Sequence, residues 1–246
     1  MQRLAGKRII VTGAAQGLGR AFTLHLVEQG ARVLALDAQQ SPLAALAATS
    51  PSITPICADV SSEEFAGEAA RRAQTLWGGL DGLVNNAAIV AGLTRAPIDQ
   101  IPAAEFDRVM QVNVKGAWLM ARAAHGVMRD AGGGSIINLS SEVAYSGSRN
   151  LSHYVTSKAA IIGLTRALAR EFGSECIRVN ALAPGYTDTE GARHLADPSS
   201  YDVSQTPLGR VGQPTDLLGA LIFLLSDESA FVSGQVLLVN GGRVLQ

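Results

Sequence analysis

The sequence predicts a single-domain α/β protein: a doubly wound parallel sheet of about seven strands with helices on both faces. Three observations carry this. Short apolar runs rich in β-branched residues alternate with segments of helical periodicity from one end of the 246 residues to the other. A glycine-rich turn joins the first apolar run directly to the first helical segment. No linker-like tract, low-complexity segment or internal repeat divides the chain.

The first strand is Arg8-Ile9-Ile10-Val11, followed at once by Thr12-Gly13-Ala14-Ala15-Gln16-Gly17-Leu18-Gly19. Leu18, Phe22, Leu24, Leu26 and Val27 then carry a helix to a stop at Gly30. Strand, glycine turn and helix in this order make a dinucleotide site. Bare glycine backbone can approach a pyrophosphate, whose charge rests on the helix N-terminus. The second strand, 32–37, ends in Asp37, about 20 residues beyond the turn, the spacing of an acid that binds the adenosine ribose. A carboxylate there accepts hydrogen bonds from ribose hydroxyls and repels a 2′-phosphate. None of Ala15, Gln16, Ala38 and Gln39 offers a cation to such a phosphate, so NAD is expected rather than NADP.

A third strand over 53–58 leads to Asp59-Val60, and Cys57 within it is expected to be a small buried hydrophobe. Ser61 is expected to start the next helix and to form a capping box with Glu64, the helix running to about Trp77. A fourth strand over 80–85 ends in Asn85-Asn86-Ala87-Ala88. One long helical region then spans 102–128, with Pro102 in its first turn and Asn113 inside it. The fifth strand, 135–140, places Ser141 just past its end, where parallel sheets keep their ligand crevice. A helix over 153–172 carries Tyr154 and Lys158 four apart, so both project from one face. A sixth strand over 177–183 is broken by Pro184-Gly185. Residues 186–207 are polar and irregular and read as a short lid. A helix over 217–225 and a strand over 236–239 complete the alternation.

Tyr154, Lys158 and Ser141 form a chemically specific set. A free tyrosine, with a pKa near ~10, is a poor base at neutral pH. An ammonium one helical turn away stabilises the phenolate and lowers that value, and a cationic nicotinamide ring would add to the effect. Ser141 can hydrogen-bond a substrate oxygen while Tyr154 exchanges its proton.

The bulk numbers exclude several classes. Formal net charge is −1 with basic residues scattered, which gives no electrostatic case for nucleic acid. The two cysteines and four histidines are dispersed and lack metal-ligand spacing. No apolar segment is long enough to cross a bilayer, and no apolar targeting core stands ahead of Ile9. A soluble, cytoplasmic protein is expected.

Together these motifs resemble the short-chain dehydrogenase/reductase family, specifically its compact single-domain members with a Rossmann-like sheet. The resemblance covers essentially the whole chain. Gly13, Gly17 and Gly19, with Gln16 and Leu18 in the same turn, match its cofactor glycine motif. Asp37 matches its acidic NAD selector, Asp59-Val60 the pair beside the adenine, and Asn85-Asn86-Ala87 its Asn-Asn-Ala-Gly motif. Ser141, Tyr154 and Lys158 match the catalytic trio and Asn113 the fourth catalytic member. Pro184-Gly185 and Thr187 or Thr189 match the segment that touches the nicotinamide. Ala88 stands where the family usually has glycine. Asn240 replaces a commoner aspartate before Gly241-Gly242, and is expected to affect packing more than chemistry.

The resemblance implies reversible hydride transfer between NAD and a small secondary alcohol or ketone. Tyr154 would act as base, Lys158 would also hold the nicotinamide ribose, and Asn113 would bind a relay water. It implies a substrate pocket lined from Val90-Ala91, Val143, the stretch from Ser148 through Arg149 to Leu151, Tyr186 and the lid. The short lid suits an aryl or alkyl carbinol, while Arg149, His153, Arg193 and His194 could instead hold an anion or the hydroxyls of a sugar. Glu142 is expected to point away from the substrate. The alternatives are an NADPH-dependent reductase of carrier-bound 3-oxoacyl groups and a non-catalytic NAD-binding protein. Asp37 weighs against the first and the intact catalytic residues against the second. A homotetramer is implied by the resemblance alone.

Overall fold

The structure, a computed structural model, describes residues 2–194 and 196–245. Seven strands form one sheet in the order β3-β2-β1-β4-β5-β6-β7, every neighbouring pair parallel. They are β1 (Arg8–Thr12), β2 (Arg32–Asp37), β3 (Ile53–Cys57), β4 (Gly82–Asn85), β5 (Gly134–Leu139), β6 (Ile177–Pro184) and β7 (Val236–Val239). The sequence direction reverses between β1 and β4, so the crevice of this fold opens above the C-terminal ends of those two strands.

Successive side chains of a strand face opposite ways, and here both faces are covered, which is why the strands read as unbroken apolar runs. Ile9, Val11 and Val33 pack on one face with Phe22 and Leu26 of α1 (Gly17–Glu28), Leu43 and Leu46 of α2 (Gln40–Ala47), and Leu217 and Leu221 of a C-terminal helix. Ile10, Leu34 and Leu36 pack on the other with the alanine stripe of α3 (Glu63–Trp77) and with helices that follow β4 and β5.

The long helical region expected over 102–128 is three pieces: α4 (Ala103–Met110), a π turn (Gln111–Lys115) and α5 (Gly116–Asp130). The wider turn sits at Asn113, whose side chain leaves the helix to accept from Ile89 N–H (2.7 Å) and to donate to Ser157 (3.1 Å). After β5 come α6 (Val143–Ser146), α7 (Ser152–Phe172), which carries Tyr154 and Lys158, the short α8 (Glu190–Arg193) and α9 (Pro214–Leu225).

Three local expectations are corrected. The capping box at Ser61 and Glu64 does not form: α3 starts at Glu63 behind Ser62, and the Ser61 N–H instead donates to Asp59 (2.9 Å). Such a bond closes on α9, where Asp216 accepts from Gln213 N–H at 2.7 Å. Cys57 is exposed, because β3 is an edge strand with alternating burial rather than a covered one. The lid at 186–207 holds α8 and is tied to the C-terminal segment, Leu208 N–H donating to Gly241 O and Arg243 to Asp202 O (2.8 Å) and Thr206 Oγ1 (3.2 Å). Leu195, within that lid, lies outside the described residues.

Among the described residues no helix is long and apolar enough to cross a membrane, and no group of three or more His, Cys, Asp and Glu is placed to hold a metal ion.

Candidate active site

A cleft of about 670 Å³ runs across the C-terminal ends of the strands. Its floor at one end is the glycine turn between β1 and α1, where Gly13, Gln16, Gly17 and Leu18 line it. Asp37, Asp59, Val60, Asn86 and Ala87 line the same half. Ser141, Tyr154 and Lys158 line the other half, with Pro184, Gly185, Thr187 and Thr189 between the two.

The turn is held by side chains from the next strand. Thr12 Oγ1 accepts from Asn86 N–H and Ala87 N–H, both at 3.0 Å. The Asn86 amide returns two bonds, to Thr12 O (2.9 Å) and Gly13 O (3.0 Å). Gly19 does not line the cleft. A Cβ there would stand 1.9 Å from Gly13 O, so this glycine lets helix α1 close onto the turn.

Asp37 is buried at the end of β2, and each of its carboxylate oxygens is aimed by a backbone donor at 2.9 Å, Ala15 N–H on Oδ2 and Gln39 N–H on Oδ1. Each oxygen has further lone-pair capacity, and Asp37 lines the cleft. That is the acceptor set a ribose diol needs. At the start of α1 the Gly17 N–H, one of the donors a pyrophosphate would meet, is taken by the lid carboxylate Glu190 at 3.2 Å. The glycine turn, the aimed carboxylate and a buried lysine thus fit a dinucleotide with a nicotinamide end.

At the catalytic end Lys158 is buried and its Nζ donates to Leu139 O at 2.8 Å, standing 5.7 Å from the Tyr154 ring centroid. Burial pushes the Tyr154 hydroxyl up to about 12, against a smaller opposing pull from its hydrogen bond with Ser141. Burial likewise pushes the Lys158 ammonium down to about 8. Without cofactor, desolvation outweighs the stabilising effect of Lys158 that the spacing suggested. The phenol is therefore a hydroxyl at neutral pH.

The Lys158 value gives a stability prediction. A fall from 10.5 to about 8 corresponds to about 3 kcal/mol. A lysine depressed in the folded state contributes fully only above pH 10.5, and its contribution is lost as pH falls to about 8. Lys158→Met should therefore stabilise the cofactor-free protein at pH 7 by about 2 kcal/mol, once about 1 kcal/mol is subtracted for the lost bond to Leu139 O. The gain should shrink between pH 8 and 10.5. Denaturant melts at several pH values check it.

The expected catalytic and pocket residues divide in two. Val90, Val143, Leu151 and Tyr186 line the cleft beside Ser141 and Tyr154. Asn113 does not line it, and its amide is committed to Ile89 and Ser157, so the side chain acts as a brace. Arg149 is exposed and does not line it either. His153 is fully buried against Glu105 (2.8 Å), Arg193 pairs with Asp188 (2.7 Å) and His194 is exposed, so the four basic residues form no anion site. Glu105 also accepts from Thr94 N–H and Oγ1 (both 2.8 Å), and so ties the loop bearing Val90 to the helix of Tyr154.

Other wall residues carried no signal by themselves. Tyr201 reaches the cleft by stacking on Tyr186, ring centroids 4.3 Å apart. Arg108 and Val112 also line it, one helical turn apart just ahead of Asn113. That i, i+4 spacing was available in the sequence. Glu142 is a buried residue of the cleft edge, and its Oε2 is turned against Gly185 with no accessible surface.

A crevice at the switch point of a parallel sheet, with a glycine turn at one end and Ser, Tyr and Lys at the other, defines an oxidoreductase that works with a nicotinamide cofactor. Comparison with known proteins makes the class specific. Residues 13–243 match the family model described as enoyl-(acyl carrier protein) reductase. The chain is 35% identical over 249 residues to the 3-oxoacyl-[acyl-carrier-protein] reductase FabG of Thermotoga maritima, covering 99% of this chain and 100% of that one. It is 36% identical to the 3-alpha-(or 20-beta)-hydroxysteroid dehydrogenase of Mycobacterium bovis, covering 98% and 91%. It is 35% identical to the cis-4-hydroxycyclohexanecarboxylate dehydrogenase of Sinomonas cyclohexanicum, covering 98% of each. The chain belongs to the short-chain dehydrogenase/reductase family, and is an oxidoreductase of that family acting on CH–OH groups.

Proposed function

We propose that this oxidoreductase uses NAD and catalyses reversible hydride transfer with a small secondary alcohol or its ketone, an aryl or alkyl carbinol or a polyol or sugar. The observation that carries the reading is the buried carboxylate of Asp37, aimed by two backbone donors into the half of the cleft opposite Tyr154.

When bound, the nicotinamide supplies the acceptor or donor of the hydride. The chain's own residues handle the proton and the oxygen. Ser141 orients the carbinol oxygen and stabilises charge that develops on it. Tyr154 takes the hydroxyl proton in the oxidative direction and returns it in the reductive one. Lys158, cationic over most of the neutral range, favours the phenolate once charge has to develop there. The cofactor residues are those of the first half of the cleft together with Pro184, Gly185, Thr187 and Thr189.

The test is NADH production from a panel of secondary alcohols, aryl carbinols, polyols and aldoses, repeated with NADP. NAD should exceed NADP in kcat/KM by about tenfold or more, because a 2′-phosphate facing Asp37 costs at least ~1.4 kcal/mol. Asp37→Ala should narrow that ratio. A preference for NADP in the unaltered protein would retire the reading.

A reductase of carrier-bound 3-oxoacyl groups is the second reading, supported by the likeness to the Thermotoga maritima protein. It predicts NADPH turnover of a carrier-linked 3-ketone and silence on simple carbinols. A non-catalytic binding role would leave both assays silent, and the intact Ser141, Tyr154 and Lys158 weigh against it.

We also infer a cytoplasmic homotetramer. Exposed Trp118 on α5, exposed Leu237 on the edge strand β7 and exposed Phe231 in the segment leading to it support pairing through helices and through the C-terminal strand. A monomer in sedimentation at micromolar concentration would refute the assembly.

A further inference from the structure

The first turn of α1 has no acid of its own, and Gln16 makes no side-chain bond to it. Its Gly17 N–H is capped instead from a distant segment, by Glu190 Oε2 at 3.2 Å. Glu190 is an exposed residue and the first of α8. That short helix is held in shape around it. Thr189 Oγ1 accepts from Ala192 N–H (3.2 Å), and Arg193 pairs with Asp188 (2.7 Å). Thr189 also lies on the glycine turn, since a Cβ added at Gly17 would meet Thr189 Cβ at 3.6 Å. The lid therefore rests on the turn and sets a carboxylate on its leading donor.

Gly17 lines the cleft at its dinucleotide end, with Gln16 and Leu18 beside it. A pyrophosphate at the start of a helix needs these N–H groups, and it carries the same sign of charge as Glu190. One N–H cannot serve two anionic acceptors at full strength, and the anions repel each other. The one basic residue of α8 does not neutralise the carboxylate, because Arg193 gives its Nε and a terminal nitrogen to Asp188.

We propose that Glu190 sets the affinity for the cofactor: its carboxylate competes with the dinucleotide pyrophosphate for the Gly17 N–H, and so holds binding weaker than the glycine turn alone would give. This rests on the dinucleotide fit of the cleft and holds for either nicotinamide cofactor. Binding has to break the Glu190 bond and move a like charge aside, and the returning carboxylate favours release. Glu190 opens α8, and Thr189, Gly191 and Ala192 beside it line the cleft, so its displacement also shifts the wall between the two halves. A mere helix cap would act differently. It would raise stability and leave the affinity for phosphates unchanged.

The experiment measures binding without turnover. ADP and adenosine are titrated by calorimetry into the unaltered protein, Glu190→Ala and Glu190→Gln. ADP carries the pyrophosphate without a nicotinamide or a 2′-phosphate, so the outcome does not depend on the choice between NAD and NADP. Adenosine lacks the pyrophosphate and serves as the control. Glu190→Ala should bind ADP about fivefold tighter, the effect of removing one exposed like charge, with adenosine unchanged. Glu190→Gln loses the charge but keeps an acceptor for Gly17 N–H, and should gain about threefold. The gain of the alanine variant should shrink in about 0.5 M salt, which screens charges at a water-facing site. An affinity for ADP that is unchanged or weaker in the alanine variant, or an equal gain for adenosine, overturns the proposal. No binding of ADP, NADH or NADPH to any of the three proteins would instead overturn the dinucleotide reading, and this proposal with it.

Discussion

Tyr154→Phe should cut turnover by about a thousandfold or more and leave NADH binding within a few-fold of the unaltered protein. The substitution removes one oxygen from a side chain that is 9% exposed, so the ring still fills its place beside Lys158 and the fold is spared. What disappears is the only phenol that shares a hydrogen bond with Ser141 among the described residues. General acid–base help of this kind is worth about 10²–10⁴ in rate. The pH dependence supplies an independent check. With the free-enzyme hydroxyl at about 12, alcohol oxidation needs a proton removed from Tyr154 and should rise with pH, whereas ketone reduction uses the protonated form and should fall at the alkaline end. The residual activity of the phenylalanine variant should lack both limbs. Turnover unchanged, or a loss matched by equal loss of NADH affinity, would remove Tyr154 from the chemistry.

What could be read in the sequence was what depends on near neighbours along the chain. Tyr154 and Lys158 share a helix face by spacing alone, and the glycine turn with Asp37 at the end of the next strand declares itself within one strand–helix–strand unit. The inner strands were visible because a sheet covered on both faces turns them into apolar runs. The errors lie where distant partners decide. The π turn at Asn113 exists because its side chain bridges Ile89 and Ser157, from a loop and a helix far apart in sequence. His153 looks like a free base at the start of a helix until Glu105 is brought against it. Cys57 sits in an apolar run, but its strand lies at the edge of the sheet, and strand order is not a local property. Glu142 was the hardest case. A carboxylate after a strand carries no local sign of burial, and only the return of Asn240 and Arg243 from the C-terminal segment closes the space around it.

Gly19→Ala should destabilise the protein by about 2–4 kcal/mol and weaken NADH binding by more than tenfold, although alanine is the better helix former. Two effects oppose each other. In the helix interior, alanine gains about 1 kcal/mol over glycine. Against this, the new Cβ would stand 1.9 Å from Gly13 O, 2.6 Å from Asn86 Nδ2 and 2.7 Å from Gly13 C. Two of those atoms are backbone, so relief requires the turn itself to move. Displacing it strains the two bonds of the Asn86 amide, to Thr12 O and Gly13 O, each worth about 1 kcal/mol. The overpacking term, about 1–3 kcal/mol and occasionally more, together with these bonds exceeds the helical gain. The same displacement moves Gly13 and Gly17, which line the cleft, and the Ala15 N–H that aims Asp37, while Tyr154 stands on α7. The loss should therefore fall on cofactor affinity and melting temperature together, and turnover at saturating NAD should recover more than kcat/KM for the cofactor. Unchanged melting with unchanged NADH affinity would mean that α1 can slide outward freely. In that case the close approach of helix and turn would not be what shapes the dinucleotide end of the cleft.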